Sequence, residues 1–143
     1  MDASKDSLAK SALLGMNYFL IVFTFAFLMG VARLLVIAPW LGPVAAVMIE
    51  VPILMAVSWL VSRYLLGDLV LTLLKLAVMG FTAFVLTMAS EALLAALLQG
   101  NSVSAWAASV ATPLGLVGLA AQIIFALMPI FVGYGRIRKS QIR

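Results

Sequence analysis

The sequence predicts an all-α integral membrane protein, a four-helix transmembrane up-down bundle with short loops. Three observations predict it. The 143-residue chain is 66% hydrophobic and only 10% charged, against roughly 25% charged residues in soluble domains. Its mean hydropathy is +1.23. Its apolar residues fall into four runs, each long enough to cross a membrane. A span needs about 20 apolar residues for roughly 30 Å of hydrocarbon. Proline, glycine and polar residues separate the runs. At this length the whole chain, 1–143, forms one membrane domain.

Residues 1–10 are polar and of mixed charge. The first apolar run covers about 12–38 and is interrupted only by Arg33. It is too long for the apolar core of a signal peptide and has no clear small-residue cleavage site, so it reads as a retained helix. Pro39, Trp40, Leu41, Gly42 and Pro43 then break it. The second span, about 44–66, carries Glu50 and Pro52. Gly67 and Asp68 form the next turn, with Asp68 expected to cap the third span. That span, about 69–98, carries Lys75 and Glu91. Residues 99–104 are polar and turn-like. The fourth span, about 105–134, contains Pro113, Gln122 and Pro129, and a basic tail with Arg136, Arg138, Lys139 and Arg143 follows it. The short connections imply that successive spans are antiparallel neighbours.

Basic residues set the orientation. Lys5, Lys10, Arg63, Lys75 and the tail all fall on one side of this topology, while the other two loops carry no charge. Both termini are therefore expected in the cytoplasm, in a bacterial inner membrane. Trp40 and Trp106 fall at the opposite boundary, and Tyr18, Tyr64 and Tyr134 toward the cytoplasmic one, as aromatic belts would place them.

Composition narrows the chemistry. The chain has no Cys and no His. Thiol nucleophiles, disulfides, cysteine–histidine zinc sites and histidine general bases are excluded. No cofactor motif is present, and five acids make a carboxylate-only metal site weak. The net charge of +4 is scattered or lies in a tail beside a span, so topology explains it and nucleic-acid binding is not expected.

Glu50 and Glu91 carry the functional signal. Carboxylates deep in a span are costly and mark bundle interiors or hydrated cavities. At 1.5 Å per residue, Glu50 lies about 10 Å in from the Pro43 end of its span, Glu91 about 10 Å in from the Leu98 end of its own, and Arg33 about 7 Å from the end of span one. Alternating directions bring all three to one level in the outer leaflet. Ser109 and Thr112 fall near it. Helical phase adds Leu54 beside Glu50, and Phe84, Thr87 and Met88 beside Glu91. Span four presents a small face of Ala108, Ala111, Gly115 and Gly118 leading to Gln122. Its small residues suit close helix approach or a ligand. Pro52 and Pro113 free the carbonyls of Met48 and Ser109 near the same level. Gln122 is expected to bond across helices.

An arginine with two carboxylates suggests one ionised glutamate paired to Arg33 and one that carries a proton, the division of labour acid/base catalysis needs. The expected function is cofactor-independent isomerisation, cyclisation or epoxide opening of a lipophilic small molecule arriving from membrane lipid. Glu50, Glu91 and Arg33 would be catalytic, and Thr87, Thr112, Met88, Phe84, Leu54 and Gly115 would line the substrate. The alternatives are a proton-coupled small-molecule transporter and an accessory subunit of a larger membrane complex. A bridge from Arg33 to one glutamate that merely fixes helix register, with the other glutamate hydrogen-bonded to Thr112 or a backbone carbonyl, accounts for one acid well and the second less well. A homo-oligomer is compatible with each of these.

Overall fold

The computed structural model describes residues 2–141, with the side chains of 2–6, 99, 136 and 138–141 outside the description. The basic tail and Lys5, which carry part of the orientation argument, therefore have no described side chains. The described chain is all-helical: α1 (Asp2–Ala32), a wider π-type turn (Arg33–Ile37), α2 (Ala38–Leu66), α3 (Leu73–Gln99), the short α4 (Val103–Val110) and α5 (Pro113–Gln141).

Three helical stretches are long and apolar enough to cross a membrane: Ser7–Leu66, Leu73–Leu98 and Pro113–Gly135. The first has 60 residues, about 90 Å if straight, or roughly three times the hydrocarbon thickness. It doubles back instead. Gly42 adopts φ 80° and ψ 161° inside α2, a conformation essentially confined to glycine. The expected break around Pro39–Pro43 is thus concentrated in one residue, and the chain remains helical through Pro39. Arg33 then faces Glu50, and Tyr18 faces Ser58 and Ser62, so α1 and α2 run antiparallel. Most large side chains point outward: Leu35, Trp40, Phe81, Leu97 and Phe131 are all exposed. That outer surface suits lipid and not water.

The helices form a four-membered ring. Helix α1 packs on α2 and α3, and α5 packs on the same two. Helices α2 and α3, joined by the 67–72 connection, do not pack together. This corrects the expectation that every pair of successive spans is adjacent. Six residues reach up to about 20 Å, whereas packed helices sit about 8–10 Å apart, so the connection can cross a diagonal. It also leaves Asp68 in the turn. Helix α3 starts at Leu73 after Thr72, with no side-chain cap, so Asp68 is not its cap.

The fourth span is not one helix. It breaks at Ala111–Thr112. The Ser102 hydroxyl caps α4 by accepting from the Ala105 N–H at 3.2 Å. The Thr112 hydroxyl donates to the Ser109 carbonyl at 2.7 Å and accepts from the Gly115 N–H at 3.1 Å. Pro113 is therefore the first residue of a new helix, a favoured position, and not a kink inside an old one. The Ser109 carbonyl is satisfied by Thr112. The proposed small face from Ala108 to Gln122 is interrupted by this joint.

The core lies toward the 67–72 end. Tyr18, Phe19, Val22, Leu66, Leu76, Met79, Ala83 and Phe125 form its buried cluster. Close backbone approach holds it together: a Cβ on Gly80 would lie 1.9 Å from the Ala126 carbonyl oxygen, and one on Gly15 would lie 2.4 Å from that of Met79. Glycine lets α3 meet α5, and α1 meet α3, at this distance.

Tyr18 is not a belt residue. It is fully buried, its ring stacks on Phe125 at 4.5 Å and 15°, and its hydroxyl donates to the Phe125 carbonyl at 2.9 Å. The reason lies four residues along α5. Pro129 has no N–H to give the Phe125 carbonyl, so that acceptor would be orphaned inside the bundle. Tyr18, 107 residues earlier, supplies the missing donor across the diagonal. Tyr64 and Tyr134 are exposed, as belt residues would be.

Candidate functional site

Arg33 opens the π-type turn that joins α1 to α2. Such turns carry one extra residue per turn and often mark functional positions. Glu50 lies on the returning limb of the same hairpin. Arg33 Nε sits 2.8 Å from Glu50 Oε2, with the two side chains 28% and 12% exposed. The approach is an ion pair and not an aligned hydrogen bond, because Nε is shielded from solvent and finds no acceptor along its N–H direction. The contact uses one nitrogen and one oxygen and is not the two-pronged fork that arginine and carboxylate form at their strongest.

Glu91 has a different partner. The Gln122 side-chain amide donates to Glu91 Oε1 across the α3–α5 interface. Gln122 bonds across helices, as its position in an apolar span suggests, and the acceptor is Glu91. Among the described residues, no ion pair or hydrogen bond joins Glu91 to Arg33 or Glu50. Neither carboxylate is fully buried. The expected buried glutamate pair is thus two half-buried glutamates, one facing a cation and one a neutral amide.

Both pairs lie on the same side of the Tyr18 level. Glu50 is 8 residues before Ser58, which faces Tyr18, or about 12 Å along α2. Glu91 is 11 residues beyond Gly80, which abuts Ala126 next to Phe125, or about 16 Å along α3. They occupy the half of the bundle away from the packed core.

The other candidate residues divide by what they touch. The Thr87 hydroxyl is buried and donates to the Ala83 carbonyl at 2.9 Å, within its own helix. Phe84, Met88 and Leu54 are half-buried. Thr112 is exposed and serves the α4–α5 joint. Gly115 lies under the end of α4, where a Cβ would meet the Ser109 carbonyl oxygen at 2.2 Å. These last two have local structural contacts.

Sequence reasoning passed over one polar group. Ser58 and Ser62 are fully buried on α2 and turned toward Tyr18, yet neither hydroxyl closes a well-aligned hydrogen bond. Their signal was the four-residue spacing of two serines in an apolar span, which puts both on one face.

Among the described residues, no three acidic side chains gather as metal ligands would. The arrangement offers a guanidinium, a carboxylate held beside it, and a second carboxylate on another helix pair. Such groups can hold an oxygen function and move a proton to or from it. No family model matches the chain, and no curated protein or solved structure is similar to it.

Proposed function

We propose that the chain is a four-span integral membrane protein with both termini on the cytoplasmic face of a bacterial inner membrane. We further propose that it performs cofactor-independent acid/base chemistry on a lipophilic small molecule at the level of Arg33, Glu50 and Glu91. One observation carries the reading: the two intramembrane carboxylates have unlike partners, a guanidinium for Glu50 and a neutral amide for Glu91. Unlike surroundings are how one site obtains a base and an acid from the same residue type. Glu50, charge-balanced by Arg33, is the base. Glu91 supplies the proton.

The chemistry balances with water as the sole co-reactant. In an isomerisation, Glu91 protonates one carbon of a double bond, Glu50 removes a proton from the carbon attached to the other alkene carbon, and the double bond moves by one position. In epoxide opening, Glu91 protonates the epoxide oxygen while Glu50 draws a proton from the attacking water. Phe84, Met88 and Leu54 offer apolar surface for the remainder of the molecule. Intramembrane placement lets the substrate arrive from the bilayer.

The test is an untargeted mass-spectrometric comparison of lipid-soluble extracts. Cells making the wild-type chain, Glu50→Gln or Glu91→Gln at matched membrane levels are compared. The expected result is a lipophilic pair, one species depleted and an isomer or hydrate enriched, that changes only with the wild-type chain. Extracts identical across all three would reject the enzymatic reading, and a proton-coupled transporter would give that outcome.

A further inference from the structure

We infer that the Arg33–Glu50 pair binds the oxygen of a neutral lipophilic molecule, an alcohol, epoxide or ketone, seated in the open space beside Gly30. The inference rests on the function proposed above and names the substrate class of that site.

The first observation is the unfinished pair. A guanidinium has five N–H donors and no acceptor. Here Nε makes a 2.8 Å ion contact with Glu50 Oε2 and has no aligned acceptor. Donors therefore remain for a third oxygen, and Arg33 is accessible enough to be reached.

The second observation is space. Gly30 lies one turn before Arg33 on the same face of α1. A Cβ there would meet no atom within 4 Å. Gly15, on the same helix, is packed against Met79 so closely that a Cβ would lie 2.4 Å from its carbonyl oxygen. Helix α1 is thus tight at its core end and open at its Arg33 end.

Charge chooses the class. Arg33 and Glu50 sum to zero. An anionic ligand would have to displace Glu50 or remain uncompensated, and a cationic one would confront the guanidinium. Both situations are costly away from water. A neutral oxygen accepts from Arg33 without disturbing the pair, and a hydroxyl can also donate to Glu50.

Equilibrium binding in phosphatidylcholine nanodiscs tests this, with tritiated oleyl alcohol as probe and oleic acid as competitor. Wild type should bind the alcohol saturably, and the acid should compete poorly. Gly30→Leu fills the space while leaving both charged residues in place and should weaken binding roughly tenfold or more. Gly30→Ala should weaken it less. The inference is overturned if the alcohol does not bind saturably, if the acid competes as well as the alcohol, or if monodisperse Gly30→Leu binds like wild type. Binding requires no turnover, so the two readings fail separately. Saturable, Gly30-dependent binding with unchanged lipid extracts leaves the site and removes the enzyme. Altered extracts without alcohol binding leave the enzyme and remove this substrate class.

Discussion

Removing the Tyr18 hydroxyl should expose how a proline in one helix is compensated by another. In Tyr18→Phe the ring remains to stack on Phe125 at 4.5 Å, while the hydroxyl that donates to the Phe125 carbonyl at 2.9 Å and faces Ser58 and Ser62 is removed; the double-mutant cycle with Pro129 then isolates the Phe125 share. Tyr18 is 0% and Phe125 6% exposed, so neither water nor a headgroup can replace the donor. An orphaned buried acceptor costs about 1–3 kcal/mol. Side-chain hydrogen bonds measured within membranes average about 0.6 and reach about 1.7 kcal/mol. The complete burial argues for the upper part of that second range, so the expected loss is about 1–2 kcal/mol. Pro129→Ala supplies the control. Alanine restores an N–H four residues after Phe125, giving its carbonyl a partner within α5. In that background Tyr18→Phe should cost less than half as much. Reversible unfolding of all four proteins in SDS-containing mixed micelles, treated as a double-mutant cycle, reads the coupling directly. Equal costs of Tyr18→Phe in both backgrounds would refute the argument that Pro129 creates the vacancy Tyr18 fills.

Other contacts give further expectations. Gly80→Ala should destabilise by about 2 kcal/mol or more, because its Cβ would meet the Ala126 backbone at 1.9 Å and the helices must separate. Gly118→Ala, with nothing within 4 Å, should be neutral or slightly stabilising, and the same unfolding assay compares them. Gly42→Ala should cost about 1–3 kcal/mol, since alanine strains at φ 80° and ψ 161°. Its signature should be increased proteolysis around the bend at Gly42. Thr112→Val should cost about 1 kcal/mol by removing the cap of α5, read as faster amide exchange at Gly115 and its neighbours.

Much of this architecture is legible in the sequence. Hydrophobic runs bounded by Gly42, by Gly67 and by residues 99–104 give the helical passes, because local punctuation and period are properties of short segments. The proximity of Arg33 and Glu50 is legible too, since a hairpin turning at Gly42 brings residues 9 before and 8 after it to similar depth. What sequence reading misses depends on the partner helix. Tyr18 looks like a boundary aromatic until Pro129 is recognised as leaving a carbonyl unpaired, a relation spanning most of the chain. The diagonal placement of α2 and α3 is invisible because the 67–72 connection is long enough to permit either arrangement. Depth alone puts Glu91 at the level of Arg33 and Glu50. Depth does not fix which neighbour a side chain meets, and the ring order of helices gives it Gln122. The break at Thr112 did have a local signal, because the residue before proline resists helical geometry and threonine is a favoured cap.

On the proposed reading the Arg33–Glu50 pair acts on a molecule and does more than fasten α1 to α2. Exchanging the two charges, Arg33→Glu with Glu50→Arg, separates these roles. A fastening pair survives exchange, whereas a base held next to a guanidinium in a fixed orientation does not. The decisive measurement is the lipid-extract comparison on the exchanged protein, alongside its unfolding midpoint. Near wild-type stability with loss of the wild-type change in lipophilic species is expected. Wild-type lipid changes from the exchanged protein would contradict it and reduce the pair to a structural bridge.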